Sequence, residues 1–302
     1  METFADYPFT GRHFTLPSSG LRMHYLDEGS PDAPPILMVH GNPTWSYYYR
    51  DLVSSFRGTH RVIVPDHVGM GLSDKPNESQ YEFTLDRRVA DLEALMDSLQ
   101  LSQPLTLVVH DWGGMIGMTY AVRHPEKIGR IVVLNTGAFR LPATKKMPWQ
   151  LKVSRTPIVG ALLVRGFNAF CRGAVKDCVM KPMRREVAAG YVGPYDSWAD
   201  RLAVHRFIQD IPLTPADRAY ATVKATEERL GVLANVPMLI CWGMHDFVFD
   251  EHFLNRWIAL FPRAEVHRFS DAGHYVLEDA GPAIRGLVEK FLEASSVEAA
   301  GR

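Results

Sequence analysis

An apolar run from Leu105 to Val109 leads straight into His110-Asp111-Trp112-Gly113-Gly114, and a helix-like stretch from Met115 to Val122 follows at once. A strand that must turn directly into a helix leaves room only for small side chains at the turn. Gly113 and Gly114 meet that need and leave the side chain at the apex exposed. That side chain is Asp111. An aspartate before a helix can also be an ordinary N-cap, so its meaning depends on what else the fold brings near it.

The same alternation of apolar runs and helix-like segments extends along the chain. His13 to Pro17 and Leu21 to Asp27 flank the turn residues Ser18 to Gly20 and read as a hairpin. Apolar runs at Ile36 to Val39, Val62 to Val64, Leu105 to Val109 and Ile131 to Leu134 then alternate with helical patterns. This is the βαβ rhythm of a mostly parallel sheet, an α/β fold. In Leu85 to Leu99 the apolar residues Leu85, Val89, Leu92, Leu95, Met96 and Leu99 share one helical stripe, with Arg87, Arg88, Asp91 and Asp97 largely off it.

After Asn135 the rhythm breaks for about ninety residues rich in Trp, Phe and Met, without evident core strands. Residues 139–226 are therefore expected to form an inserted helical cap, with 1–138 and 227–302 making one sheet domain. Strand patterns resume at Pro237 to Trp242 and Glu265 to Phe269, and a last helix is expected from about Pro282 to Leu292. The Ala/Ser/Glu-rich tail after Leu292 is expected to fray.

The chain has 302 residues and a formal net charge of −1, which gives no overall field to attract nucleic acid or anionic lipid. Cys171, Cys178 and Cys241 form no C-x-x-C pair, and an odd number leaves at least one unpaired, as suits a reducing compartment. Glu2 and Asp6 stand where a secretory leader would carry a basic region, and Pro157 to Val164 is too short for a membrane span. A cytoplasmic protein is expected. Adjacent pairs such as His110-Asp111, His245-Asp246 and Asp66-His67 lack the i, i+4 spacing of a helical zinc motif. No metal and no cofactor are expected.

Three further segments give Asp111 its context. His40-Gly41-Asn42-Pro43 follows an apolar strand, where backbone N–H groups of a loop face the elbow as half of an oxyanion hole. Ala272-Gly273-His274-Tyr275 follows the last strand and offers His274 as a base, in the chain order nucleophile, acid, histidine. Asp246, at the carboxyl end of the preceding strand, is the favoured acid, with Asp250 a nearby rival. The segment Asp66 to Ser73 suits a tight structural loop and receives no catalytic role.

A carboxylate nucleophile can displace a leaving group from saturated carbon and form an alkyl ester, which water activated by a His–Asp pair then hydrolyses. N–H donors in a dry pocket stabilise the departing charge. Trp112 and Asn42 offer an indole N–H and an amide NH₂ beside the elbow.

In His40 to Pro43, His110 to Gly114, Asp246 and His274 the chain resembles the haloalkane dehalogenases, a family of α/β-hydrolase fold. That resemblance implies Asp111 as nucleophile, His274 as base and a halide held by Asn42 and Trp112. In that family the acid follows either of two strands. Asn135 occupies the earlier position here, so Asp246 as acid looks like the third subfamily, whose members tend to self-associate. An apolar cap also offers a surface for a second copy of the chain.

The resemblance is closer still to the β-lactone decarboxylases of bacterial long-chain olefin biosynthesis. It takes in cap strings such as Met147-Pro148-Trp149-Gln150, Phe167-Asn168-Ala169-Phe170 and Phe207 to Pro212. There the same Asp111 and His274 would act on a strained lactone carrying alkyl chains. The first expectation is a dehalogenase-like hydrolase acting on a small apolar haloalkane, and the alternative is decarboxylation of a dialkyl β-lactone to an alkene. An epoxide hydrolase would need phenol donors from the cap, where Tyr191, Tyr195 and Tyr220 are available. A small-molecule receptor on the same fold would keep the pocket without turnover.

Overall fold

In a computed structural model, residues 4–300 are described, with side chains through 294; Glu2 lies outside them. The chain opens with β1 (Arg12–Thr15), β2 (Arg22–Glu28), β3 (Pro35–Val39), α1 (Arg50–Phe56), β4 (Arg61–Pro65) and α2 (Leu85–Ser98). Then come β5 (Leu105–Asp111), α3 (Trp112–Arg123) and β6 (Ile128–Thr136). With β7 (Met238–Gly243) and β8 (Glu265–Phe269) from the end of the chain, the eight strands of the sheet lie in the order β1-β2-β4-β3-β5-β6-β7-β8. Strands β1 and β2 form the expected hairpin, with Arg12 opposite Tyr25, and β2 also runs antiparallel to β4; every other neighbour is parallel.

Strand β5 lies at the centre of this sheet and is buried along its whole length. Leu107, Val108 and Val109 are fully buried, and each such side chain contributes roughly 1.5–3 kcal/mol of transfer free energy. Between β3 and β5 the direction of strand addition reverses. Loops leaving the carboxyl ends of two such strands diverge and open a crevice, which is where open α/β sheets place their sites.

Helix α2 starts at Thr84, whose hydroxyl accepts the Arg87 N–H at 3.3 Å, and it packs beside α3 with Leu85, Val89, Leu92, Leu95 and Met96 of the expected stripe buried. Two of its polar residues lie off that stripe and still escape water. Arg88 and Asp91 are buried rather than solvated. The Arg88 guanidinium lies 3.6 Å from the centroid of the Phe207 ring and 3.9 Å from Asp210, while Asp91 accepts from Arg87 and Tyr81. The periodicity of α2 alone could not reveal a second layer covering its polar edge.

Between β6 and β7 the described residues contain no strand. The insertion holds α4 (Trp149–Ser154), α5 (Ile158–Ala161), which continues as a π-helical turn through Gly166, and α6 (Ala169–Asp177), followed by α7 (Arg185–Val192), α8 (Leu202–Gln209) and α9 (Tyr220–Arg229). Helix α9 packs on α3, where Thr119 and Thr226 share a 2.9 Å hydroxyl hydrogen bond. The return to the sheet layer thus begins near Tyr220, a few residues before the expected boundary at 226. The chain then closes with β7 (Met238–Gly243), α10 (Glu251–Leu260), β8 (Glu265–Phe269) and α11 (Val276–Ala300).

Helix α11 starts just after Tyr275, bends at Ala280 and runs on to Ala300, so it is longer at both ends than expected. The three cysteines are buried and unpaired. No single helix among the described residues is long and apolar enough to cross a membrane.

Candidate active site

Asp111 ends β5 with φ = 51°, in a left-handed region that disfavours any side chain with a Cβ, and α3 begins at the next residue. Such strain persists only where the surroundings hold it. Here the Thr136 hydroxyl donates to the Asp111 carbonyl. Gly113 lets α3 press on β3, because a Cβ there would stand 1.9 Å from the Val39 carbonyl oxygen. Gly41 does the same for the facing loop, where a Cβ would lie 2.0 Å from Asp111 Oδ1. The close approach lets the backbone N–H of Asn42 donate to that oxygen at 2.6 Å.

The facing loop is locked by two buried histidines. His40 donates from Nδ1 to the Gly41 carbonyl at 2.8 Å and accepts the His67 N–H on Nε2 at 3.1 Å; His67 Nε2 in turn donates to the His40 carbonyl at 3.0 Å. Burial pushes the pKa of both rings down, which keeps them neutral and suited to these roles. Asp66 anchors the next loop by accepting from the N–H groups of Ser46 and Leu72 and from His24. Burial works to raise its pKa, but His24 and its hydrogen bond, with His40 and the Leu72 N–H, hold it at about 2.

His274 lies between β8 and α11. Its Nδ1 is 2.7 Å from Asp246 Oδ2, and its Nε2 is 3.6 Å from Asp111 Oδ2. Asp246 is fully engaged: Oδ1 accepts the N–H groups of Val248 and Phe249 at 2.7 and 3.0 Å, and Oδ2 also accepts Asn135 Nδ2 at 3.0 Å. Its rival Asp250 instead caps α10, accepting the His252 N–H at 3.1 Å and pairing with Lys145 at 2.8 Å. Burial alone would lower the pKa of His274, but the charges and hydrogen bonds of Asp246 and Asp111 outweigh it and raise it to about 10. The two acids thus favour the protonated form of the ring.

Two neighbours of this group carried no role in the sequence reading. His110, the residue before Asp111 on β5, turns its ring toward the loop after β8, where its Nε2 donates to the His274 carbonyl at 2.9 Å. Burial and then the His274 charge push its pKa down to about 3, so it is a neutral prop under a charged ring. Phe249 stacks on the other side of His274 at 5.8 Å. The signal for His110 was its place beside Asp111 on an alternating strand, but what it meets lies 164 residues away.

Asp111, Asn42, Trp112 and His274 line one cavity of about 430 Å³, roofed by the inserted helices. Its walls are apolar, with Leu141, Met147, Leu151, Phe170, Ile208 and Phe249 among them. The Trp112 indole N–H has no acceptor among the described residues. The Asn42 side chain is committed differently: Nδ2 donates to the Val204 carbonyl of α8 at 3.1 Å, so this amide also ties the insertion to the elbow. Of the three tyrosines considered as ring-opening acids none lines the cavity. Tyr191 donates to Glu278 at 2.5 Å, and Tyr195 donates to the Thr44 carbonyl at 3.3 Å.

Residues 34–281 match the family model of the alpha/beta hydrolase fold. The chain is 53% identical to a cis-3-alkyl-4-alkyloxetan-2-one decarboxylase of Shewanella oneidensis, covering 93% of this chain and 88% of that one. It is 32% identical to a haloalkane dehalogenase of Mycolicibacterium paratuberculosis, covering 97% and 96%. A crystal structure of an ancestral haloalkane dehalogenase superposes with a TM-score of 0.84 at 26% identity, covering 94% of this chain and 99% of that one. The chain belongs to the α/β-hydrolase family of enzymes, beside the oxetanone decarboxylases and the haloalkane dehalogenases.

Proposed function

We propose that the protein is a β-lactone decarboxylase that converts a cis-3,4-dialkyl oxetan-2-one into an alkene and carbon dioxide, with Asp111 as nucleophile. The observation that carries this reading is the much higher identity to the Shewanella decarboxylase than to the Mycolicibacterium dehalogenase, both over nearly the whole chain. It reverses the order of preference that the elbow residues suggested. Both reactions need a carboxylate at Asp111 and an apolar cavity, so those residues do not separate them.

The chemistry balances without water. An Asp111 oxygen attacks C4 of the lactone with inversion, and the ring C4–O bond breaks to free a carboxylate on C3. The bond from C3 to that carboxylate then breaks as carbon dioxide leaves. Its electron pair forms the C3–C4 double bond and expels Asp111, regenerating the enzyme. Inversion followed by anti elimination keeps the two alkyl chains cis.

The surroundings of His274 are compatible with this route. An imidazolium held by Asp246 stabilises Asp111 before attack and the freed carboxylate after it. Once Asp111 is alkylated its charge no longer holds the proton on the ring, so the same residue can also serve ester hydrolysis, and its charge does not separate the two routes. The apolar cavity of about 430 Å³ falls within the range that encloses drug-sized ligands, roughly 300–1,000 Å³, and suits two alkyl chains.

Dehalogenation is the second reading, favoured by the Trp112 indole N–H, which lines the cavity and has no acceptor among the described residues. Single-turnover reactions in ¹⁸O-water separate the two. With a cis-dialkyl β-lactone we expect alkene and carbon dioxide, with no ¹⁸O in the peptide containing Asp111. Release of halide from a bromoalkane, ¹⁸O in Asp111 and no alkene from the lactone would overturn the proposal.

A further inference from the structure

From the outer face of α4 to α6 we infer that the protein docks on the surface of an anionic lipid bilayer, with the mouth of its cavity turned toward the lipid. Of the ten exposed large apolar side chains among the described residues, seven fall between Trp149 and Trp198. Ile158 is 83% exposed, Trp149 69% and Phe167 62%, and Val159 and Leu162, close to Ile158 in the chain, are exposed as well. Concentration of this kind marks an interaction surface, whereas scattered apolar residues do not.

The two arms of this face, Ile158–Gly166 and Ala169–Asp177, together match a membrane span in length and apolar composition, yet they meet at 68°. Their inner sides are already used: Leu163, Ala169 and Phe170 line the cavity, and Val164 is buried. Only the outer side is free to enter lipid, which suits a bent pair lying in the interface rather than crossing it.

Charge selects the partner. Between Leu141 and Arg185 the chain carries ten Lys and Arg residues and one acid, Asp177, so the overall charge of −1 conceals a strongly basic segment and an acidic remainder. Lys146, Lys152, Arg172 and Lys176 are exposed and have no ion-pair partner among the described residues. Arg165 lies 4.4 Å over the exposed Trp198 ring, joining cation and aromatic at the edge of the patch. Apolar side chains with tryptophan at the margin and unpaired cations around them fit the acyl–headgroup boundary of an anionic leaflet. A symmetric contact between two copies would instead set one basic face against another.

Trp149 joins patch and pocket, since it is exposed and also lines the cavity. A route for an apolar substrate from bilayer to Asp111 follows from this, and only that route rests on the function proposed above. Docking itself needs no turnover.

The test is flotation of the full chain with phosphatidylcholine vesicles, with and without phosphatidylglycerol, at low and high salt. We expect the wild type to float with phosphatidylglycerol vesicles, less so as salt screens the cations. The pairs Ile158→Asp with Leu162→Asp, and Lys152→Glu with Arg172→Glu, should each lower the bound fraction about tenfold. Circular dichroism and thermal unfolding check that the variants remain folded, as surface changes outside the cavity lining should. Failure of the wild type to float with phosphatidylglycerol vesicles, or flotation of the Ile158→Asp, Leu162→Asp variant at the wild-type level, overturns the proposal. So does a wild-type oligomer that ignores vesicles and is dissociated by that variant, since the face would then join copies of the chain.

Discussion

Asn135 donates Nδ2 to Asp246 Oδ2 at 3.0 Å, on the same oxygen that His274 Nδ1 meets at 2.7 Å. Asn135 also donates to the Gly243 carbonyl and accepts the Gly243 N–H at 2.7 Å, so one buried amide fixes both the strand end and the carboxylate. Asn135→Ala leaves buried backbone groups of Gly243 unpaired and should cost about 1–3 kcal/mol. Urea unfolding measures the loss, and turnover should fall as Asp246 loses its orientation.

Asp111→Asn removes the proposed nucleophile while keeping its shape, so turnover with the true substrate should fall by a factor on the order of 10⁴ or to background. The same change removes one of the two negative charges beside His274. The ring should then titrate at lower pH than in the wild type, as NMR of labelled histidine will show. An unchanged titration would mean that Asp111 does not hold the proton there.

Native stability should decline from neutral to alkaline pH. His274 rises from an ordinary value of 6.5 to about 10: burial opposes the proton, while Asp246 and Asp111 retain it. A folded-state pKa above the unfolded one stabilises the native protein fully below about 6.5, and that contribution fades as pH climbs to about 10. Denaturant midpoints across this window should slope downward in the wild type and much less in His274→Gln.

The insertion is held to the sheet domain by a second buried charge cluster. Arg50 of α1 donates to both oxygens of Glu278 in α11 at 2.6 and 3.0 Å, and Tyr191 of α7 donates to the same carboxylate. Glu278→Ala strands the Arg50 cation in the interior. Breaking a buried pair in this way costs about 3–5 kcal/mol, to be read from urea unfolding. Limited proteolysis should then cut first near α7.

Local patterns were enough for much of the fold. The strand–elbow–helix at Asp111, the first hairpin and the stripe of α2 each depend on neighbours a few residues apart, and each stands where the pattern put it. Chain order was enough to nominate His274. It was not enough to separate Asp246 from Asp250, both acids in one loop. That difference lies in which carboxylate meets Asn135 and His274, and which one caps α10.

Other residues changed meaning only in three dimensions. Arg88 lies off the apolar stripe of α2, and only the fold shows that Phe207 of α8 covers it. The Asn42 amide, expected at the leaving group, spends a donor on Val204, while its backbone N–H faces Asp111. His110 looked incidental and supports the loop that carries His274.

The sequence by itself determined the α/β sheet, the strained elbow and the identity of the residue at its apex, because periodicity, turn chemistry and glycine sterics act over a few residues. Only the tertiary structure decided which carboxylate meets His274, which charges surround that ring and which apolar side chains face outward beside unpaired cations. Those properties depend on burial and on distances between segments far apart in the chain, and no local pattern encodes either.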